Sequence, residues 1–189
     1  NRRAGNAANK NFQTPSLRLL PGTPRVLESY RSKLLEMYGV LALAVFRHHI
    51  GKGEMSCQEW KTRLLATGIK LYPHEVNQIL AYFTPTETIE VSNFIDHVVA
   101  KSGGYIAKDT EATFERLFGA GERVSAEDIA SRLRGEEFPE IAEGLQAFVS
   151  AYQGADGMYG VAEFGLIHSD MYACTDKAVF EDLVKDLWG

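Results

Sequence analysis

Residues His48 to Glu59, read as "HHIGKGEMSCQE", have the outline of a calcium-binding loop. Gly53 would make the turn, Met55 follows two residues later, and Glu59 stands six beyond the glycine. A loop of this kind offers calcium side-chain oxygens from positions one, three, five and twelve, a carbonyl from seven, and often a water at nine. Aligned on Gly53 and Glu59, those side-chain positions hold His48, Ile50, Lys52 and Glu59. A lysine ammonium in that ring turns attraction into repulsion, worth about 4 kcal/mol per unit of charge product at about 4 Å and an effective dielectric near 20.

Three further stretches carry the same outline with other losses. "FTPTETIEVSNF" is shorter by about two residues and ends on Asn93 where the bidentate glutamate belongs. "FGAGERVSAEDI" is similarly short and keeps only Asp128 at its closing position. "YQGADGMYGVAEF" is the best preserved, with Asp156, Gly157 and Glu163, but it lacks acids at its first and third positions and reads as one residue short. Calcium needs six to eight oxygens and its affinity follows carboxylate number. The expectation is that none of the four holds calcium and that no cofactor is needed. Asp156 and Glu163 are the weak residual metal candidates. Glu59 has a role without metal, because it lies three residues after Ser56 and its carboxylate can reach back to the cap's amide. Gly160 has no oxygen to cap with, so Glu163 lacks that explanation.

Other chemistry fares worse. His48 and His49 with Cys57 suggest zinc, but adjacent helical residues point about 100 degrees apart, and no further pair completes a tetrahedron. His168, Asp170 and Cys174 have the types of a thiol catalytic set, but offsets of two and six scatter them around a helix. Neither "GKG" nor "GAG" extends into a phosphate loop, and no nucleophile elbow is present. No catalytic residue is assigned and no enzyme is expected.

The elements that position these loops are helical. Thr23 and Pro24 open a long segment to Ile50, which Gly39 bends or divides. Ser56 with Glu59 forms a capping box for a helix ending at Gly68. Val76, Ile79, Leu80 and Phe83 make one stripe, and Phe94 and Val98 begin another that stops at Gly103-Gly104. The second half repeats this plan, with Phe114, Leu117 and Phe118, then Ser125 and Asp128 in a second box. Ile141, Leu145, Phe148 and Tyr152 follow, then Phe164, Ile167 and Met171. A last helix aligns Phe180, Leu183, Leu187 and Trp188 behind Thr175 as cap. Each loop has one central apolar residue, Met55, Ile89, Val124 and Tyr159, at steps of about 35 residues. The final helix is expected to fill the groove of the second half, with Trp188 inside.

The chain has 189 residues, 45% of them apolar, which is enough for one or two modest cores. Its longest apolar run, "GVLALAVF", ends at Arg47 and is too short to span a membrane. "NRRAGNAANKNF" lacks the apolar stretch of a secretion signal, and Cys57 and Cys174 fit free thiols in a reducing compartment. Net charge is -5, yet residues 1–25 carry Arg2, Arg3, Lys10, Arg18 and Arg25 with no acid, leaving -10 on the rest. A basic arm before an acidic body suggests docking on an acidic surface.

The segment "YRSKLLEMYGVLALAVFRHHIGKGEMSCQEWKTRL" resembles the first hand of calcyphosin-like EF-hand proteins. "RLRGEEFPEIAEGLQAFVSAY" is similar to their long link between third and fourth hands, and "AEFGLIHSDMYACTDKAVFEDLVKDLWG" to their tail. The resemblance covers residues 27–189. It implies an all-α fold of two EF-hand-pair lobes, four degenerate helix–loop–helix units with short β pairing between loops, and an extra C-terminal helix. The expected division is an extended arm over 1–23, one lobe over 24–104, and a second with the last helix over 105–189. Because such proteins are frequent in cilia and flagella, some on or inside doublet microtubules, the resemblance implies a cytoplasmic, cytoskeletal protein of the axoneme. Its expected partners are tubulin or other axonemal proteins, with no nucleic acid, membrane or small-molecule substrate. Arg2, Arg3, Lys10, Phe12 and Arg18 are the expected partner-binding residues. The alternative is a calcium-responsive adaptor with a residual site in the fourth loop.

Overall fold

The structure is a computed structural model that describes residues 23–83, 87–98 and 107–189. The arm with Arg2, Arg3, Lys10, Phe12 and Arg18 lies outside the described residues, as does the expected boundary at Gly103-Gly104. The described residues are mostly helical, and none of their helices is long and apolar enough to cross a membrane.

The first half runs through α1 (Arg25–Tyr38), α2 (Ala42–Ile50), β1 (Glu54–Ser56), α3 (Cys57–Ala66), α4 (Pro73–Phe83), β2 (Thr88–Glu90) and α5 (Val91–Val98). Gly39 does divide the leading segment, since its φ of 55° lies where a side chain is strained, and a single 3-10 turn joins α1 to α2. Pro24 is extended and caps α1 rather than standing inside its first turn, so the helix begins one residue later than its sequence suggests. The second half comprises α6 (Ala107–Phe118), α7 (Ala126–Arg132), α8 (Pro139–Phe148), α9 (Val161–Ala173) and α10 (Lys177–Trp188). Ser125 and Asp128 form the full reciprocal box at α7. At α10 the cap is Asp176, whose carboxylate accepts from the Val179 amide, and not Thr175.

The loops pair in twos. β1 and β2 are antiparallel with Met55 opposite Ile89, and Val124 and Tyr159 form the matching bridge in the second half. In all four units the helix starts two residues after the central apolar residue, at Cys57, Val91, Ala126 and Val161. That shared register makes Tyr152–Glu163 a full twelve-residue stretch with Gly157 sixth, not one residue short. The φ of 75° at Gly157 supplies the turn.

Two cores form, and they exchange residues. Leu27, Tyr30, Phe46, Trp60 and Phe94 centre the first, which also takes Ala173 and Cys174 from the end of α9. Phe114, Tyr159, Phe164, Leu187 and Trp188 centre the second, which takes Val40 and Ala44 from the first half. Trp188 is 1% exposed, its ring 4.9 Å from that of Phe164. The end of α10 is tied down as well: the Arg134 amide and the Arg116 guanidinium donate to the carbonyls of Leu187 and Trp188. The Asp186 carboxylate accepts from the amides of Glu137 and Phe138. Truncating a core aromatic of this kind costs about 3–5 kcal/mol.

Candidate functional site

The fourth loop brings its polar groups together around an arginine from the third. The Val124–Tyr159 bridge, with both amide-to-carbonyl bonds at 2.8 and 2.9 Å, fixes the two loops side by side. Arg123, one residue before Val124, therefore reaches across. Its Nη2 donates to Asp156 Oδ1 and Oδ2 at 2.6 and 2.7 Å and to the Met158 carbonyl at 3.5 Å. Its Nη1 donates to Glu163 Oε2 at 3.2 Å. Asp156, Met158 and Glu163 occupy positions five, seven and twelve, three places from which such a loop would ligate calcium. The Asp156 carboxyl is held below the usual carboxylate range, chiefly by the Met158 amide and next by the Arg123 guanidinium.

The other ligand positions are spoken for. Tyr152, at position one, is buried and its hydroxyl donates to Asp170 Oδ2 at 3.0 Å. Gly154, at position three, has no side chain, and a Cβ there would lie 3.0 Å from both Asp156 Oδ1 and Glu163 Oε1. Lys52 does not sit in the first loop's ring. Its ammonium crosses to the fourth loop and donates to the Gln153 carbonyl. Two cations thus border the loop that has acids at positions five and twelve. This donor set is arranged around the planar Arg123 guanidinium. Glu163 also accepts from the Gly160 amide at 2.8 Å, so it completes half of a cap without any capping oxygen.

The first loop repeats the device locally. Ser56 Oγ accepts from the Glu59 amide as expected, but the Glu59 carboxylate does not return to the cap. It holds Arg63 instead, at 2.8 Å from Nη2 and 3.1 Å from Nε, and Arg63 Nη1 donates to the Ile50 carbonyl at 3.3 Å. The guanidinium lies against the loop backbone, where a Cβ on Gly51 would come within 2.3 Å of it.

A third pair joins the halves. Arg47 on α2 meets Asp170 on α9 through Nε and Nη2 at 2.5 and 3.0 Å, with side-chain exposures of 14% and 2%. Arg47 also lies over the Tyr152 ring, 5.7 Å from its centroid. A pair this desolvated depends on its full set of hydrogen bonds, and the Tyr152 hydroxyl supplies the third.

The thiol-type set does not assemble. His168 faces the rings of Phe164 and Trp188, Asp170 faces Arg47, and Cys174 is in the first core. His48 packs on Phe148, its ring centroid 5.2 Å away. Among the described residues no three His, Cys, Asp or Glu side chains gather as a metal cluster. Sequence reading missed Arg123, Arg63 and the Arg47–Asp170 pair. The available signal was Arg123's place next to the paired Val124, since alternation along a strand turns neighbours to opposite faces. No protein-family model matches the chain, and no curated protein matches it.

Proposed function

We propose that this chain is a non-catalytic structural protein of EF-hand type that needs no calcium and docks as one constant shape on a larger cytoskeletal assembly. The observation that carries this reading is the Arg123 guanidinium seated on Asp156, Met158 and Glu163. A sensor of this class changes its helix angles when a divalent ion arrives. Here a side chain of the protein stands where the ion would, so the signal has nowhere to enter. The buried Arg47–Asp170 pair and the exchanged core residues support the same conclusion, because they oppose hinged movement of the halves.

The assembly we propose is the ciliary or flagellar axoneme, where the chain sits as a microtubule-associated or inner-microtubule protein. The basic arm, through Arg2, Arg3, Lys10, Phe12 and Arg18, docks on acidic tubulin or a neighbouring axonemal protein, drawn there by opposite charge. Support comes from charge sign and from the resemblance of residues 27–189 to calcyphosin-like proteins.

Two measurements test the reading. Calorimetry with calcium should give no binding heat at micromolar metal, and heat abolished by Glu163→Gln would replace the scaffold with the adaptor. Sedimentation with microtubules should retain the full chain and lose the chain lacking residues 1–22. Equal retention of both would remove the arm from the docking role.

A further inference from the structure

A groove away from the four loops runs between the last turns of α1 and the connection from α3 to α4. Lys33 and Met37 line it from α1, and Ile69, Lys70, Leu71 and Tyr72 line it from the connection. Its volume is about 550 Å³, within the range of about 300–1,000 Å³ typical of pockets that hold ligands. Met37 is 54% exposed and Tyr72 69%, which makes them the two most exposed large apolar side chains among the described residues. Both stand in this one groove, and the Tyr72 ring stacks on His74 at 5.7 Å and 11°. Apolar surface gathered in this way marks a place where another molecule binds.

Charge and backbone decide what the groove takes. Lys33 Nζ donates to the Lys70 carbonyl at 3.3 Å, which holds its ammonium against the connection. Neither Lys33 nor Lys70 makes an ion pair among the described residues. Glu36 also lines the groove, so two cations face one acid and the lining is net positive. It sits on a body that carries -10 beyond residue 25. The connection itself belongs to no helix or strand, and burial alternates along it, with Ile69 buried, Lys70 exposed, Leu71 half-buried and Tyr72 exposed. That alternation is the habit of extended chain, and Pro73 biases Tyr72 the same way. No backbone bond among the described residues engages the Lys70 amide. An extended run with an unspent amide offers an edge to which a peptide can add.

We infer that this groove docks an extended acidic segment of a protein partner, with an apolar side chain between Met37 and Tyr72 and carboxylates against Lys33 and Lys70. A carbonyl of the segment accepts from the Lys70 amide. A small anion would leave Met37 and Tyr72 uncovered, and a purely apolar segment would leave both ammonium groups without a counter-charge. The chain's own arm does not suit the groove, since residues 1–25 carry five cations and no acid. This surface is separate from the arm and stands whether or not the arm docks.

The test uses the full chain and two short synthetic peptides, one with glutamates around a single phenylalanine and one with lysines in their place. Binding is read at the Lys70 amide resonance. The acidic peptide should shift that resonance saturably, with affinity about tenfold above that of the basic one, as two exposed pairs made rather than opposed allow. Lys33→Glu combined with Lys70→Glu should reverse the preference. Met37→Asp, at an exposed position, should weaken the acidic peptide about tenfold while the helical spectrum stays unchanged. Equal affinities for the two peptides would overturn the inference, as would a preference that survives the double charge reversal. Acidic-peptide binding that leaves the Lys70 amide unmoved and vanishes in the chain lacking residues 1–22 would also overturn it, because the arm and not the groove would then hold the acid.

Discussion

The first and fourth loops each close on a glutamate and each surrender it to an arginine, but the arginines come from different places. Arg63 stands one turn beyond Glu59 on the same helix, so its contact is local and would form in an isolated segment. Arg123 comes from the neighbouring loop and binds two carboxylates and a carbonyl across the pair. The same chemistry therefore does different structural work. In the first half the strand ladder joins the loops, and the arginine neutralises Glu59 and ties α3 to the Ile50 carbonyl within a single loop. In the second half the ladder shrinks to a single bridge, and the arginine is itself a cross-link.

The comparison breaks first at the joint both halves share. Asp170→Ala leaves Arg47 and the Tyr152 hydroxyl without their acceptor in a desolvated place, and should cost about 3–5 kcal/mol by urea unfolding. Replacing both partners, Arg47→Met with Asp170→Leu, should return most of that loss. Two separate transitions in the single variant would mean that the halves are independent, and the contrast between their loops would then be local to each.

The second half differs also in its buried imidazole. His168 titrates near 4 in the folded chain against an ordinary value of 6.5. The unfolded chain therefore binds the extra proton between those values, and stability rises with pH across that window. Falling from 6.5 to 4 should remove about 3 kcal/mol, a dependence that His168→Leu flattens. Asp109, Lys177 and Glu181 line a pocket with His168 between α6, α9 and α10, so the readout is the difference between the two pH profiles.

The smallest effects separate the loops themselves. Arg63→Ala should lose about 0.5 kcal/mol or less, as exposed pairs one turn apart do. Arg123→Ala should lower the melting temperature further than Arg63→Ala, because it removes three contacts between loops. High salt should shrink the loss at both sites, since both arginines are exposed to solvent. Equal losses would erase the distinction between a local pair and a cross-link.

Much of the helical frame was legible because its causes are local. The stripes of Val76, Ile79 and Phe83, the caps at Ser56 and Ser125, and the four central apolar residues each show in a short window. Misplacements fall where neighbours compete for one role: Thr175 and Asp176 both can cap, and the carboxylate three residues before the Val179 amide takes it. The charged pairs were not legible. Spacing assigns Lys52 to its own loop, but its ammonium lies beside the fourth, on the carbonyl of Gln153, 101 residues away in sequence. Arg47 and Asp170 are 123 apart, and nothing in a linear pattern couples them. Long-range pairs follow from packing, and packing follows from which helix faces meet.

The exchange of residues between the cores has a consequence for dissection. Polypeptides 23–98 and 107–189, produced separately, would each show a hydrophobic gap: the first lacks Ala173 and Cys174, the second Val40 and Ala44. Mixed together they should recombine, as the pieces of a split reporter do, into a two-piece complex with the helical spectrum of the intact chain.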